Sequence, residues 1–422
     1  VTIFAERTKK GVAMGAGRNQ IITTYGEPDR TASKEPFTIL YYDNLRSEMI
    51  IANDKQKLRD DNLVDIDTHN LSQVRQRFNN MMWYCGITNL TNRDILIKFI
   101  ESFQSKLSPL PRDESYCKTG FRPDGGYSKF LFLTRESSSE RVEKAFLRFS
   151  KENDSGIIAK SPLGASYKIS KDCLVPSLRT PVGVQTMNLS KKYDYIIKKR
   201  YEALKRVCQA AGINMPDSKY LGSLTKKIKS VKTHIAISHR INPFSPDNYH
   251  VAFFSSKQIA PSDQMNILIE PDREKAQSMC VILNSVLFFT QFFLLKEEST
   301  GRYINIRVYD LEEMHLVPSP KVLKALTSVF IKFAKTKFTS LRQQFDENFD
   351  QRYEEFWEYQ RGERQGRLFS VLDKPVKPSK NRLNFDLAVC KAIDLDVAKK
   401  DLIQIYEVLI REMIIIKGLK RD

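Results

Sequence analysis

The sequence has no Cys-x-x-Cys pair, no two histidines at metal-ligand spacing and no long, purely apolar run. Its six cysteines, Cys85, Cys117, Cys173, Cys208, Cys280 and Cys390, lie far apart. That argues against a structural zinc site and suits the thiols of a reducing cytosol. The most apolar stretch, Val281 to Leu295, is fifteen residues long and contains Asn284, Ser285, Thr290 and Gln291. It is too short and too polar to span a bilayer and reads as a buried helix, so no membrane partner is expected. No serine or cysteine stands in a nucleophile-elbow setting, so no catalytic residue and no metal ligand is assigned. The chain opens at Val1 without an initiator Met, a basic n-region or a small-residue cleavage site. The expectation is that there is no signal peptide and that the sequence is cut from something larger.

What is present is a basic chain with enough apolar matter for a core. At 422 residues it is long for one core, and two or three domains are expected. Hydrophobic residues are 41% and aromatics 10%, which excludes a disordered chain. Lys and Arg number 68 against 50 Asp and Glu, a formal charge of +18, and this favours a polyanionic partner. The excess is local. Residues 1–105 carry a net +1, residues 106–319 a net +11, and residues 320–422 a net +6. Within the middle block, residues 160–245 hold 17 basic and only 4 acidic side chains. A solvated face explains any one Lys pair; a segment this one-sided needs a compensating anion, and phosphate supplies it.

The pattern along the chain is α+β: a partial α/β N-terminal region, a mixed β-rich middle domain with inserted helices, and a C-terminal helical region. Boundaries fall at 1–105, 106–320 and 321–422. In the first block Val1–Ala5, Phe37–Tyr42 and Glu48–Ala52 read as strands, and Asn70–Tyr84 and Thr91–Phe103 as helices, the second capped by Asn92. In the middle, Phe130–Leu133, His234–Ser238, Val251–Phe254, Asn266–Ile269, Tyr303–Tyr309 and His315–Val317 read as strands. Helices are expected from Lys192 to Ala211 and from Arg273 to Leu295. The stripe Leu323, Leu326, Phe330, Phe333, Leu341, Phe345, Phe349 and Phe356 predicts one long helix or two in line, with the aromatics as core. Asp373–Lys380 is a linker, and Asn384–Ile393 and Asp396–Ile416 form a helical pair, the second capped by Asp396.

Two local motifs carry little. Gly11-Val-Ala-Met-Gly15-Ala-Gly17 lacks the spacing of a phosphate loop and reads as a connection. Pro271-Asp-Arg-Glu-Lys275 holds nuclease-like letters but no acidic pair at metal-binding spacing, and reads as a helix N-terminus. Of the histidines His69, His234, His239, His250 and His315, only His239 stands out. Ser238-His239-Arg240-Ile-Asn242 sets several hydrogen-bonding groups just after a strand, inside the basic block.

From about Cys117 to Pro320 the sequence resembles the target-recognition domain of adenine-specific DNA methyltransferases of restriction-modification systems. Four stretches in order carry the resemblance. Lys118-Thr-Gly-Phe-Arg122, followed by Phe130-Leu-Phe-Leu133, is similar to the opening glycine turn and strand. Leu174-Val-Pro-Ser-Leu-Arg-Thr180 resembles the start of the second half. His234 to Asn242 with Tyr249-His-Val-Ala-Phe-Phe254 resembles the paired basic strands. Leu283-Asn-Ser-Val-Leu-Phe288, Gly301-Arg-Tyr303, Val308-Tyr-Asp-Leu311 and Val317-Pro-Ser-Pro320 resemble the closing helix, strand and exit. Asn384 to Ile393 looks like a C-terminal helix of the same enzymes, and Val1 to Arg7 is similar to a late strand of their catalytic domain. The resemblance stops short of catalysis. The Gly-rich S-adenosylmethionine loop is missing, and Asn242-Pro-Phe-Ser245 lacks the second Pro and the aromatic of the family's Asn-Pro-Pro-aromatic tetrapeptide.

The resemblance therefore implies sequence-specific recognition of double-stranded DNA, with S-adenosylmethionine held by a catalytic domain or subunit elsewhere, and a cytoplasmic location. Whether this chain is itself part of an enzyme stays open. Arg122, Arg179, His239, Arg240 and Asn242 are expected at or near bases, Lys226, Lys227, Lys229 and Lys232 at phosphates, and Arg302 and Tyr303 at either. The terminal helices would dock on the catalytic partner or on a second copy. Two rival readings use the same residues: an RNA-binding accessory protein stacking bases on Tyr220 or Tyr249, and an assembly protein that docks through residues 323–357.

Overall fold

The structure, a computed structural model, describes residues 19–24, 36–42, 64–70, 90–113, 115–123, 127, 131–135, 147–161, 164–189, 192–295, 304–360 and 374–418. It is a mixed α+β fold, as expected. Near the N-terminus β1 (Asn19–Thr24), β2 (Pro36–Tyr42) and β3 (Val64–Asn70) form an antiparallel sheet in that order. Asn70 ends a strand rather than opening a helix. The strands expected at Val1–Ala5 and Glu48–Ala52, the Gly11–Gly17 connection and the remainder of the helix to Tyr84 lie outside the described residues. Helix α1 (Leu90–Gln104) begins two residues before Asn92, which therefore sits in its first turn and not at its cap.

The chain next builds a small β-rich lobe. After β4 (Leu107–Pro109) and β5 (Cys117–Thr119), whose Leu107 and Cys117 belong to the main core, it comprises β6 (Phe132–Leu133), β7 (Arg148–Asn153), β8 (Gly156–Lys160), β9 (Ser166–Ser170), β10 (Leu174–Ser177) and β11 (Asp194–Ile197). Two helices follow, α2 (Leu204–Ala210) and α3 (Ser218–Ser230). The helix expected from Lys192 to Ala211 thus forms only in its second half: Asp194–Ile197 is a strand between β10 and β6, and Leu204–Ala210 is helical. Long-range pairing, with Ile196 and Ile197 fully buried, overrides the helical propensity of the Lys-rich flanks. Helix α3 is an element the sequence reading did not anticipate. Asp217 caps it, accepting from the Tyr220 N–H at 2.6 Å, and Leu221, Leu224 and Ile228 make its buried stripe. These residues join Leu131, Ile157, Ile169, Val175, Ile197 and Val207 in one core.

The central sheet explains the apolar runs of the middle block. β12 (Thr233–Ser238), the short β13 (Arg240–Ile241), β14 (Ala252–Ile259) and β15 (Met265–Leu268) follow in sequence, and the antiparallel order is β14-β12-β15-β5. Both faces are covered. Ile235, Ile237 and Leu268 enter the largest core on one side, while Ala236, Phe253 and Met265 pack with Leu178, Val184 and Leu189 on the other. A strand buried on both faces needs no polar alternation, so β12 is buried at every position. Thr233 pairs with Ile259 but Ile235 with Phe254, so Ser255–Gln258 oppose a single residue and form a wide bulge at the sheet edge.

The rest is largely helical. α4 (Arg273–Asn284) and α5 (Val286–Leu295) replace the single helix expected from Arg273 to Leu295; the chain breaks at Ser285 and bends by 58°. Asp272 caps α4, accepting from the Glu274 and Lys275 N–H groups, so Pro271–Lys275 is the helix start that was expected. No single helix among the described residues is long and apolar enough to cross a membrane. β16 (Ile304–Asn305), α6 (Val308–Glu313) and β17 (His315–Pro318) come next. The strand expected over Tyr303–Tyr309 is cut short, because Asp310 accepts from the Arg307 N–H at 2.8 Å and starts a helix there. α7 (Pro320–Phe333), α8 (Leu341–Phe345) and α9 (Phe349–Gln360) divide what read as one or two helices into three. The linker after α9 is strapped down: buried Arg352 donates to the carbonyls of Lys374 and Pro375 at 2.8 and 3.0 Å. α10 (Lys380–Ala392) and α11 (Lys399–Gly418) close the fold. Asp396 lies ahead of α11 and does not cap it; the Asp401 side chain accepts from the Ala398 N–H instead. The main core runs from Leu96 of α1 through the sheet to Ile414 of α11.

Candidate nucleic-acid interface

The connection from β14 to β15 is the tight turn Pro261-Ser-Asp-Gln264, and three distant parts of the chain are hydrogen-bonded to it. The Phe121 N–H donates to Pro261 O at 3.2 Å, and the Asp263 N–H returns a bond to Phe121 O at 3.0 Å. The Ser262 hydroxyl donates to Arg179 O at 2.7 Å. The His239 N–H donates to Gln264 O at 2.9 Å, and its Nδ1 lies 3.2 Å from Asp263 O, which fixes that nitrogen as the protonated one. The turn therefore gathers Arg122, Arg179, His239 and Arg240, which are spread over more than a hundred positions in sequence. Gly120 makes the approach workable. A Cβ there would sit 2.2 Å from Ser262 O and 2.6 Å from Pro261 O, inside any allowed contact.

The gathered side chains are not equivalent. Arg122 and Arg240 are exposed and have no hydrogen-bonding partner among the described residues; Arg240 sits on β13, paired in backbone with Asn305 of β16. His239 is half-buried. Arg179 is held inward. Its guanidinium lies 5.7 Å from the Phe132 ring centroid and donates to Thr134 Oγ1 at 3.0 Å. Burial lowers its pKa below the usual value, with Asp194 and Asp263 pulling the other way, and it stays charged at neutral pH. Asn242 is spent on local structure: its Oδ1 accepts from the Phe244 N–H, and its carbonyl accepts from Asn248 Nδ2 at 2.7 Å. Arg302 and Tyr303 lie outside the described residues, immediately before β16.

Sequence reasoning missed two things here. Gln264 is exposed at the tip of the turn beside His239, and a polar Pro-Ser-Asp-Gln between two apolar strands was the available signal. Asp194 is fully buried and supports the group from beneath. It accepts from Arg135 Nη1 at 2.8 Å, from the Arg135 N–H at 2.9 Å and from the Arg179 N–H at 2.6 Å. Arg135 in turn donates to Thr180 O and Val182 O, so the Arg179 loop is braced on both sides.

The lysines form a separate group on α3. At 100° per residue, Lys219 and Lys226 point directly away from the Leu221, Leu224 and Ile228 stripe, while Lys227 and Lys229 flank it. Lys198, Lys199 and Arg200 run alongside: Thr225 Oγ1 donates to Lys198 O, and Arg200 Nη2 donates to Pro216 O. Lys199 meets Asp172 at 3.2 Å in an exposed pair. Lys232 and His239 flank β12 at its two ends, a separation of roughly 23 Å at strand rise. That is shorter than one turn of B-form duplex, about 34 Å. Of the residues offered by the RNA reading, Tyr220 turns its ring against Tyr127 at 4.6 Å. The five cysteines among the described residues are buried free thiols.

No family model matches this sequence, and no curated protein matches it. Among solved structures the chain is similar to the type IIG restriction endonuclease BpuSI, at 12% identity and a TM-score of 0.45. The match covers 83% of this chain and 36% of that one, so the chain spans about a third of the length of the enzyme.

Proposed function

We propose that this chain recognises a specific duplex DNA sequence as the specificity part of an adenine-specific methyltransferase of a restriction-modification system. The observation that carries the reading is the turn Pro261–Gln264, on which Gln264 is exposed and to which Phe121 and His239, the neighbours of the exposed and uncommitted Arg122 and Arg240, are bonded. Arginine pairs bidentately with guanine and glutamine with adenine in the major groove, each good pair contributing about 1–3 kcal/mol of discrimination. Arg179, packed on Phe132, orients the group from behind. Lysines of α3 neutralise phosphates and set register, and Lys232, at the far end of β12 from His239, lies within one turn of duplex of the reading side chains.

The resemblance of the ordered motifs supports the restriction-modification part of the reading. In this reading S-adenosylmethionine would be held by a catalytic domain or subunit elsewhere. The test is random-sequence selection of bound duplexes together with a salt series. The expected result is an enriched motif of several base pairs and a steep loss of affinity with salt. Equal binding to every duplex and to single-stranded RNA would overturn the proposal.

A further inference from the structure

Four stretches of the sequence contain no Asp or Glu at all: residues 178–193, 218–246, 248–262 and 314–345. Together they run to 92 residues with sixteen Lys or Arg, where the chain-wide frequency of 50 acids in 422 residues would place about eleven acids. The fold assembles all four into one region. β12 of the second stretch pairs with β14 of the third. The Phe254 N–H donates to Met187 O at 2.8 Å, and the Leu189 N–H donates to Phe254 O at 2.9 Å, which brings in the first. The Asn188 N–H donates to Ala334 O at 3.1 Å, and the Leu341 N–H donates to Asn248 O at 2.8 Å, which brings in the fourth.

The cations of this region lie in sequence along that seam. Lys232 enters β12 beside Ile259, and the bulge of β14 holds Lys257 out into solvent two residues away. Lys192, next to the Tyr193 whose hydroxyl meets Ser255, is exposed, as are Lys335 and Lys337 beyond the end of α7. Lys192, Lys257, Lys335 and Lys337 have no carboxylate partner among the described residues. The exposed side of α7 continues the same character with Lys321, Lys324 and Lys332 around Ile331, which is 71% exposed. Separately evolved solvated faces would not exclude acids from four distant stretches that happen to meet.

Resting on the duplex-DNA reading, we infer that the phosphate-contacting surface extends well beyond the 160–245 segment, over the bulged edge of the central sheet and onto the end of α7. A bound duplex would then be held outside its recognised base pairs by Lys257, Lys335 and Lys337. An anionic path of fixed charge spacing suits this row, because each neutralised phosphate releases counterions and adds about 0.9 to the salt slope.

The experiment uses the full chain, a duplex of about 40 base pairs, some four helical turns, and two variants. The Lys257→Gln/Lys335→Gln/Lys337→Gln variant should flatten the logarithmic salt slope by about two to three units. It should also weaken binding at least tenfold, with its thermal midpoint and selected base motif unchanged. The Lys226→Gln/Lys229→Gln variant reports on the α3 contacts alone. If only the α3 variant flattens the slope, the extension is wrong and the duplex reading survives. If the wild-type chain binds no duplex, both fall. If the triple variant loses binding to phosphatidylserine vesicles while its duplex binding is unchanged, the surface serves an anionic membrane and the extension is overturned.

Discussion

Arg382 and Asp386, one turn apart on α10, form a bidentate ion pair with both side chains inside the protein. Nε and Nη2 of the arginine donate to the two carboxylate oxygens at 2.7 and 3.0 Å. The pair sits in the break between α4 and α5. Arg382 Nη1 donates to Asn284 O at 2.7 Å, and Asp386 accepts from the Val286 N–H at 2.9 Å and from the Tyr406 hydroxyl at 2.7 Å. The rings of Phe289, Phe345 and Phe385 surround the guanidinium, with Phe345 closest at 4.5 Å. Burial pushes the Asp386 carboxyl above its ordinary value, against the opposing pull of Arg382, Tyr406 and the Val286 N–H. The pair thus braces the 58° bend from both sides, through Asn284 O before the break and the Val286 N–H after it.

Removing one partner should cost far more than removing both. Asp386→Ala leaves a buried cation and an uncapped α5, and should destabilise the protein by about 3–5 kcal/mol. Arg382→Met with Asp386→Leu should recover a large part of that loss, since an apolar pair of similar volume tolerates the site. Urea midpoints of the three proteins test this. A double variant less stable than Asp386→Ala alone would show that the bend needs its hydrogen bonds.

Gly120→Ala should separate folding from reading. The new methyl would meet two backbone carbonyls that cannot rotate away, and the turn must shift to admit it. A destabilisation of about 1–3 kcal/mol is expected. The selected DNA motif should blur, while salt-dependent binding to random duplex is retained. An unaltered motif in a folded Gly120→Ala protein would remove the turn from the recognition mechanism.

Arg240→Ala and Lys226→Gln should fail in different ways. Loss of a base contact relaxes preference at one position by about 1–3 kcal/mol, whereas loss of a phosphate contact weakens all sequences alike and lowers the salt slope by about one. Competition between the selected site and single-base variants, at two salt concentrations, distinguishes the two. Identical behaviour of the two proteins would contradict the division between reading and holding.

The protein should lose stability between pH 6.5 and 3 through His250. Its ring is fully buried, with Nε2 donating to Gln185 O at 3.1 Å and the Phe338 ring edge-on at 5.0 Å. Burial depresses its pKa from 6.5 to about 3. The unfolded chain therefore binds a proton in that window that the folded chain does not, so stability falls as pH falls, by about 1 kcal/mol per unit. His250→Gln keeps the donor and removes the titration. Urea midpoints at pH 7 and pH 5 should differ less in this variant than in the wild type; equal differences would assign the acid sensitivity elsewhere.

Local signals were legible in the sequence where neighbours along the chain decide the outcome. The helix start at Pro271–Lys275, the β12 and β14 strands and the closing helical pair are of this kind. Elements decided by distant partners were not. Asp194–Ile197 looks helical until Leu133 and Pro176 are set against it. Ser285 inside an apolar run looks like a helical residue until Asp386, a hundred positions on, caps the chain just beyond it. Helix α3 left a legible trace, Pro216-Asp217 before a three-then-four apolar stripe, hidden by its Gly222 and its lysines. In the candidate site, residue types were readable but commitment was not. Arg122 and Arg179 look alike in sequence, and only the buried Asp194 and Phe132 show which one is tied.

The two largest cores are completed at very different moments of synthesis. The lobe around α3 draws its last core residue from Ile267, whereas the main core needs α11 as far as Ile414. At about 5–20 residues per second, the ribosome takes roughly 7–30 s to bridge that interval. The apolar helix α5 emerges early in it and waits uncovered for Leu402, Ile405 and Leu409. A nascent chain of this protein therefore has every core residue of its charged lobe in hand while the apolar α5 still waits for its last partners.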